Sequence, residues 1–100
     1  MTLASGVEVP TENIAEICRR YHVTEMAVFG SAARGELGPD SDIDIMVEFA
    51  PDARLGLRFF ALEEDLSHLF GRRVDLGEKH CLKPHARPSA MRDARVIYAA

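Results

Sequence analysis

FGSAARGELGPDSDIDIMVEF, residues 29–49, is the stretch whose reading decides the fold. From Asp42 onward it alternates. Ile43, Ile45, Val47 and Phe49 point one way, and Asp42, Asp44, Met46 and Glu48 point the other, which predicts a half-buried strand with one wet, acidic face. Its first residue closes a short continuous apolar run, Met26-Ala27-Val28-Phe29, which predicts a strand buried on both faces. Between the two, Gly30 lets the chain turn sharply, Ser31 suits an N-cap, Ala32 and Ala33 favour a short helix, and Gly35 ends it. Leu37 to Ser41 is dense in turn formers.

Upstream, residues 1–10 read as a loose lead-in ending at Pro10, and Thr11 can cap a helix. Ile14, Ile17, Cys18 and Tyr21 then form one helical stripe. Downstream, Pro51 ends the acidic strand, and a helix is predicted from about Leu55 to Phe70. Its stripe of Leu55, Phe59, Leu62, Leu66 and Leu69 is core, with part of it left open as a dimer face, and Gly71 stands where a C-cap glycine belongs. Arg73-Val74-Asp75-Leu76 reads as a short strand with Asp75 on the face opposite Val74 and Leu76. The polar, Pro-interrupted stretch Lys79 to Asp93 has room for a helical turn or two, and Arg95-Val96-Ile97-Tyr98 for a last strand. The implied fold class is α/β (α+β), a small mixed β-sheet flanked by helices in a single domain over residues 1–100.

The chemistry is concentrated on the acidic strand. Asp42 and Asp44 project from one face, where two like charges repel unless a cation neutralises them. Mg²⁺ suits one or two carboxylates completed by substrate phosphates. Asp75, on another strand, supplies a third carboxylate, and three carboxylates from adjacent strands can hold two ions, the arrangement that serves phosphoryl and nucleotidyl displacement. Gly30 allows close approach of a phosphate, Ser31 offers a hydroxyl and free amides at a helix start, and Arg34 offers a guanidinium. Together they point to binding of a nucleoside triphosphate through metal and a phosphate cradle.

Composition narrows the rest. Apolar residues make up 47% of the chain and charged residues 28%, ordinary for a globular protein. No apolar run approaches membrane-spanning length and no secretory leader is evident, so a cytoplasmic protein without a membrane role is expected. The net charge of −4 argues against an extended nucleic-acid surface. It is uneven: three arginines face nine acids in residues 1–50, and the basic excess lies after Gly71. That excess is read either as a solvated face or as a wall for a polyphosphate or an acidic partner. Cys18 and Cys81 lack disulfide or zinc spacing, and the four histidines lack ligand spacing. Glu36 and Glu48 are expected to be solvated.

The quoted stretch, with a Gly-Ser pair, ten residues, and Asp-x-Asp, resembles the signature of the DNA polymerase beta-like nucleotidyltransferase superfamily. Within it the chain looks most like the short MNT proteins, the antitoxin partners of helical HEPN toxins. The resemblance runs from about Ile14 to Tyr98 and returns at Val74-Asp75-Leu76. It implies that Gly30 and Ser31 hold the β- and γ-phosphates of ATP, that Asp42 and Asp44 bind Mg²⁺, and that Asp75 completes the metal site and helps deprotonate the acceptor. Arg34 matches a frequent arginine of the MNT version. The implied activity is transfer of AMP from ATP to a tyrosine hydroxyl of a HEPN toxin partner. Neutralisation by binding alone, and nucleotidylation of a small molecule, are the alternatives. Pro88 and Ser89 depart from the family's charged C-terminal helix.

Overall fold

The computed structural model describes residues 1–36, 38, 40–81 and 92–100. Helix α1 spans Thr11–Arg20, strand β1 Val23–Phe29, helix α2 Gly30–Arg34, strand β2 Ile43–Phe49, helix α3 Arg58–Phe70, strand β3 Val74–Glu78, and strand β4 Arg95–Ala99, with a 3₁₀ turn at Lys79–Cys81 after β3. The strands form one mixed sheet in the order β3-β2-β1-β4. β1 pairs antiparallel with both β2 and β4, while β2 pairs parallel with β3. A parallel neighbour requires a crossover, and α3 supplies it.

The core lies between the sheet and the pair α1 and α3. Ile14, Ile17 and Cys18 from α1 meet Leu62 and Leu66 from α3. Met26, Val28, Ile43, Ile45, Val47, Val74, Leu76 and Ile97 come up from the strands. Ile14, Ile43, Ile45, Leu62 and Leu66 have no exposed surface, each contributing roughly 1.5–3 kcal/mol by leaving water. The predicted stripe of α1 and the inward face of β2 are therefore the observed ones. Because β2 alternates, burying Ile43, Ile45 and Val47 under the helices turns Asp44 to the other face. Burial pushes the Cys18 thiol up to about 12, as befits a core side chain, and both cysteines are free. No helix among the described residues is long and apolar enough to cross a membrane.

Several elements differ from expectation. Residues 1–10 are docked rather than loose: Thr2 bridges Glu8 antiparallel, the Leu3 amide donates to the Val7 carbonyl at 2.9 Å, and Leu3 and Val9 are buried. A turn at Gly6, with φ +86°, folds this segment back so that its apolar residues reach the core. Thr11 does not cap α1; Pro10 occupies the cap position and Thr11 is the first helical residue. Ser31 is likewise not a cap, since α2 begins at Gly30 behind Phe29. α3 begins at Arg58 rather than Leu55, because Gly56 adopts φ +54° and breaks the helical path. Gly71 does close α3, in the left-handed conformation expected of it. β1 starts at Val23, earlier than the apolar run alone indicates. The helical turns expected between Lys79 and Asp93 fall mostly outside the described residues, as do Pro88 and Ser89; the described ends of the stretch are helical, in a 3₁₀ turn at Lys79–Cys81 and at Arg92 and Asp93.

Candidate active site

The sheet's register assembles the acidic row. Phe29 lies opposite Asp44 across the antiparallel β1–β2 pair, and Asp44 lies opposite Asp75 across the parallel β2–β3 pair. Residues opposite one another share a face, so Asp44 and Asp75 project side by side on the face away from α1 and α3. Val74 and Leu76, the neighbours of Asp75, are buried, and Asp75 itself is exposed.

Asp44 is the electrostatic centre. Its carboxyl is held above the usual carboxylate range by burial first, then by the negative charges of Asp75 and Asp42, with Arg34 opposing. Asp42 precedes the first residue of β2 and remains accessible, with the Arg73 guanidinium Nε at 3.9 Å from its Oδ2. The three carboxylates feel one another through space, but they do not close into a cage. Among the described residues no three His, Cys, Asp or Glu side chains gather tightly enough to hold an ion by themselves. The donor set is hard oxygen and like-charged, which fits a divalent cation whose remaining ligands come from phosphate and water.

Gly30 forms the corner beside this row. It takes φ +68°, and a Cβ built there would lie 2.5 Å from Asp44 Oδ2. The glycine therefore serves the carboxylate as well as the turn, since any side chain would displace Asp44. Ser31 follows. Its carbonyl accepts the amides of Gly35 and Glu36, which fixes the turn out of α2, while among the described residues no group hydrogen-bonds its hydroxyl. Arg34 is engaged elsewhere: Nε donates to Glu36 at 3.1 Å and Nη1 to Asp93 at 3.3 Å. These two bonds use two of its five N–H donors. Glu36 is exposed, as expected, while pairing with Arg34; Glu48, also expected to be solvated, is half-buried and pairs with Lys79 at 3.9 Å.

A concavity of about 610 Å³ lies away from this row. It opens at the far end of β2, lined by Glu48, Phe49, Leu55, Phe59 and Glu78 among others. The sequence reading missed Arg73 as a neighbour of Asp42, although an Arg-Arg pair directly before the Asp75 strand marks it.

The nucleotidyltransferase domain family matches residues 11–97, spanning the row, the Gly-Ser turn and strands β1 to β3 and reaching into β4. The chain belongs to this nucleotidyltransferase domain family. Protein adenylyltransferase MntA of Thermococcus cleftensis is 41% identical to the nucleotidyltransferase over 98 residues, covering 98% of this chain and 96% of the relative. A solved structure provisionally described as a minimal nucleotidyltransferase is 36% identical, with a TM-score of 0.72, covering 85% of this chain and 86% of the other. A toxin–antitoxin structure with AMP-PNP superimposes with a TM-score of 0.73 at 20% identity, covering 92% of this chain and 75% of that one, a likeness of fold.

Proposed function

We propose that this nucleotidyltransferase transfers AMP from ATP to a protein hydroxyl, and that the acceptor is a tyrosine of a HEPN-type toxin which the modification neutralises. The observation that carries the reading is the corner itself: Asp44 seated against Gly30 on one side and in register with Asp75 on the other. The names of the relatives support the reading, one being a protein adenylyltransferase over nearly its whole length and another a toxin–antitoxin complex with an ATP analogue.

In this reading the Ser31 hydroxyl and the amides after Gly30 seat the β- and γ-phosphates. Asp42, Asp44 and Asp75 hold Mg²⁺, two ions in the full arrangement, whose chemistry is to neutralise the triphosphate and the departing pyrophosphate. Asp75, the exposed member of the row, faces the incoming acceptor and takes the proton of its hydroxyl. The acceptor oxygen bonds to the α-phosphorus, the bond from that phosphorus to the α–β bridging oxygen breaks, and pyrophosphate leaves. Arg34 offers its remaining N–H groups to a phosphate oxygen. The test is incubation with a candidate HEPN toxin, Mg²⁺ and ATP labelled on the α-phosphate. Label should enter the toxin with the wild type and not with Asp42→Ala/Asp44→Ala, and equal labelling by both refutes the proposal.

One observation favours a second reading, neutralisation by binding alone. Leu57 is 85% and Phe60 63% exposed on the N-terminal part of the α3 region, remote from the acidic row. If Asp42→Ala/Asp44→Ala still protects cells fully from the toxin, capture rather than transfer is the mechanism.

A further inference from the structure

The chain on both sides of Asp42 is fastened to one dipeptide. On one side the Ile43 amide donates to the Arg73 carbonyl at 3.0 Å. On the other, the half-buried Arg72 guanidinium reaches across with Nη1, donating to the Ser41 carbonyl at 3.1 Å and the Gly38 carbonyl at 2.9 Å. Ser41 and Gly38 are tied to each other as well, the Ser41 hydroxyl accepting the Gly38 amide at 3.1 Å and the Ser41 amide donating to the Gly38 carbonyl at 3.2 Å. Arg72 starts from a fixed point, since its own amide donates to the Ser67 carbonyl at 3.2 Å as α3 closes over Gly71. The chain then runs through Val74 to Asp75.

We propose that Arg72 is a positioning residue of the nucleotidyltransferase site, a clamp that sets Asp42 against Asp44 and Asp75; this rests on the metal-site reading above. Asp42 lies outside the β-ladder, so on its N-terminal side only the turn can hold it. Guanidinium-to-carbonyl bonds are charge-assisted and stronger than neutral ones. A ligand set works only when its members stay within about 0.5 Å of the productive geometry, and the support for that comes from residues that never touch the metal. Arg73 has the complementary part. Its side chain is 84% exposed and its pairing with Asp42 is long, so it yields the carboxylate easily to a cation. Arg72 meanwhile keeps the backbone in place.

Both clamp bonds leave one nitrogen. An Arg72→Met side chain keeps the apolar stem and loses the donors, whereas Arg72→Lys retains a single charged nitrogen able to serve both carbonyls. Two measurements test the idea on full-length protein confirmed to be folded by circular dichroism. The first is amide hydrogen exchange without metal. Arg72→Met should speed exchange at Ile43 by about tenfold or more, as expected for loss of charge-assisted bonds, and leave the central β1 amides unchanged. Unaltered exchange at Ile43 overturns the clamp, whatever the site binds. The second is Mn²⁺ binding with AMP-PNP present, followed by loss of the free-ion electron paramagnetic resonance signal. Arg72→Met should weaken binding by about 10- to 100-fold, with Arg72→Lys recovering most of it. Faster exchange with unchanged Mn²⁺ affinity overturns the positioning role. Absence of Mn²⁺ binding in the wild type overturns the metal-site reading, and the positioning role with it, while the exchange result still decides whether the clamp exists.

Discussion

Replacing Gly30 with alanine separates two reasons for a glycine at one position. The first is conformational: at φ +68° an L-residue sits in the left-handed region, at a cost of about 1–2 kcal/mol. The second is steric: the new Cβ meets Asp44 Oδ2 at 2.5 Å and the carboxylate must move. Gly56 gives the reference, because it too has positive φ, +54°, but nothing lies within 4 Å of its would-be Cβ. Gly56→Ala should therefore cost about 1–2 kcal/mol, a fall of about 4–16 °C in Tm for a domain of this size. Gly30→Ala should cost more than that, the excess being the displacement of Asp44. A double-mutant cycle measures the excess. With Asp44→Ala already in place the obstacle is gone, and Gly30→Ala should cost no more than Gly56→Ala, giving a coupling of about 0.5–3 kcal/mol by urea unfolding. If Gly30→Ala costs the same with and without the Asp44 carboxylate, the close approach does not shape the site and the argument fails.

Asp44 also makes a pH prediction. Its folded carboxyl is held above the ordinary range, so the native state binds its proton more readily than the unfolded chain. The resulting stability is present below the ordinary carboxylate range and is lost as pH rises through the folded value. Asp44→Asn should accordingly be more stable than wild type near neutrality, with the difference shrinking on acidification, in urea melts run as a pH series without divalent cations; a difference independent of pH refutes this. At the other side of the molecule, the Tyr21 hydroxyl donates to Asp65 at 2.6 Å and its pKa is raised, first by that bond and then by burial. Tyr21→Phe should cost about 0.5–1.5 kcal/mol in urea unfolding. Asp65→Asn should bring the tyrosine's ultraviolet titration down in pH, and an unmoved titration curve contradicts the assignment.

Much of the architecture was legible because it is written in periodicity. The alternation from Ile43 to Phe49 has one physical solution when Ile43, Ile45 and Val47 must be dry, and that solution carries Asp44 outward. The stripe ending at Gly71 and the flanked Asp75 were readable for the same reason. Sequence patterns did not reveal what depends on contacts between distant residues. Leu3 and Val9 looked like lead-in because a two-residue bridge has no period to detect, yet both are core. Ser31 had the composition of a cap, but Gly30 entering α2 with positive φ moved the helix start forward. Arg34 reads as a phosphate ligand from spacing alone; that Asp93 reaches it depends on where β4 returns, and the intervening chain offers no local signal for this. Arg72 was hidden for the opposite reason, being one of several basic residues after Gly71 that looked alike until its two carbonyl partners were seen.

The parallel pairing of β2 with β3 has a consequence in time. Gly30, Ser31, Asp42 and Asp44 leave the ribosome well before Asp75, and the whole of α3 lies between the two acidic strands. Asp75 can take its place beside Asp44 only after that helix has packed and closed a long loop, a slow, non-local step compared with forming the β1–β2 hairpin. A growing chain thus displays its most recognisable motif while lacking a complete row of carboxylates. A chain stopped before Val74 therefore carries the Gly-Ser and Asp-x-Asp motif without the third carboxylate beside Asp44.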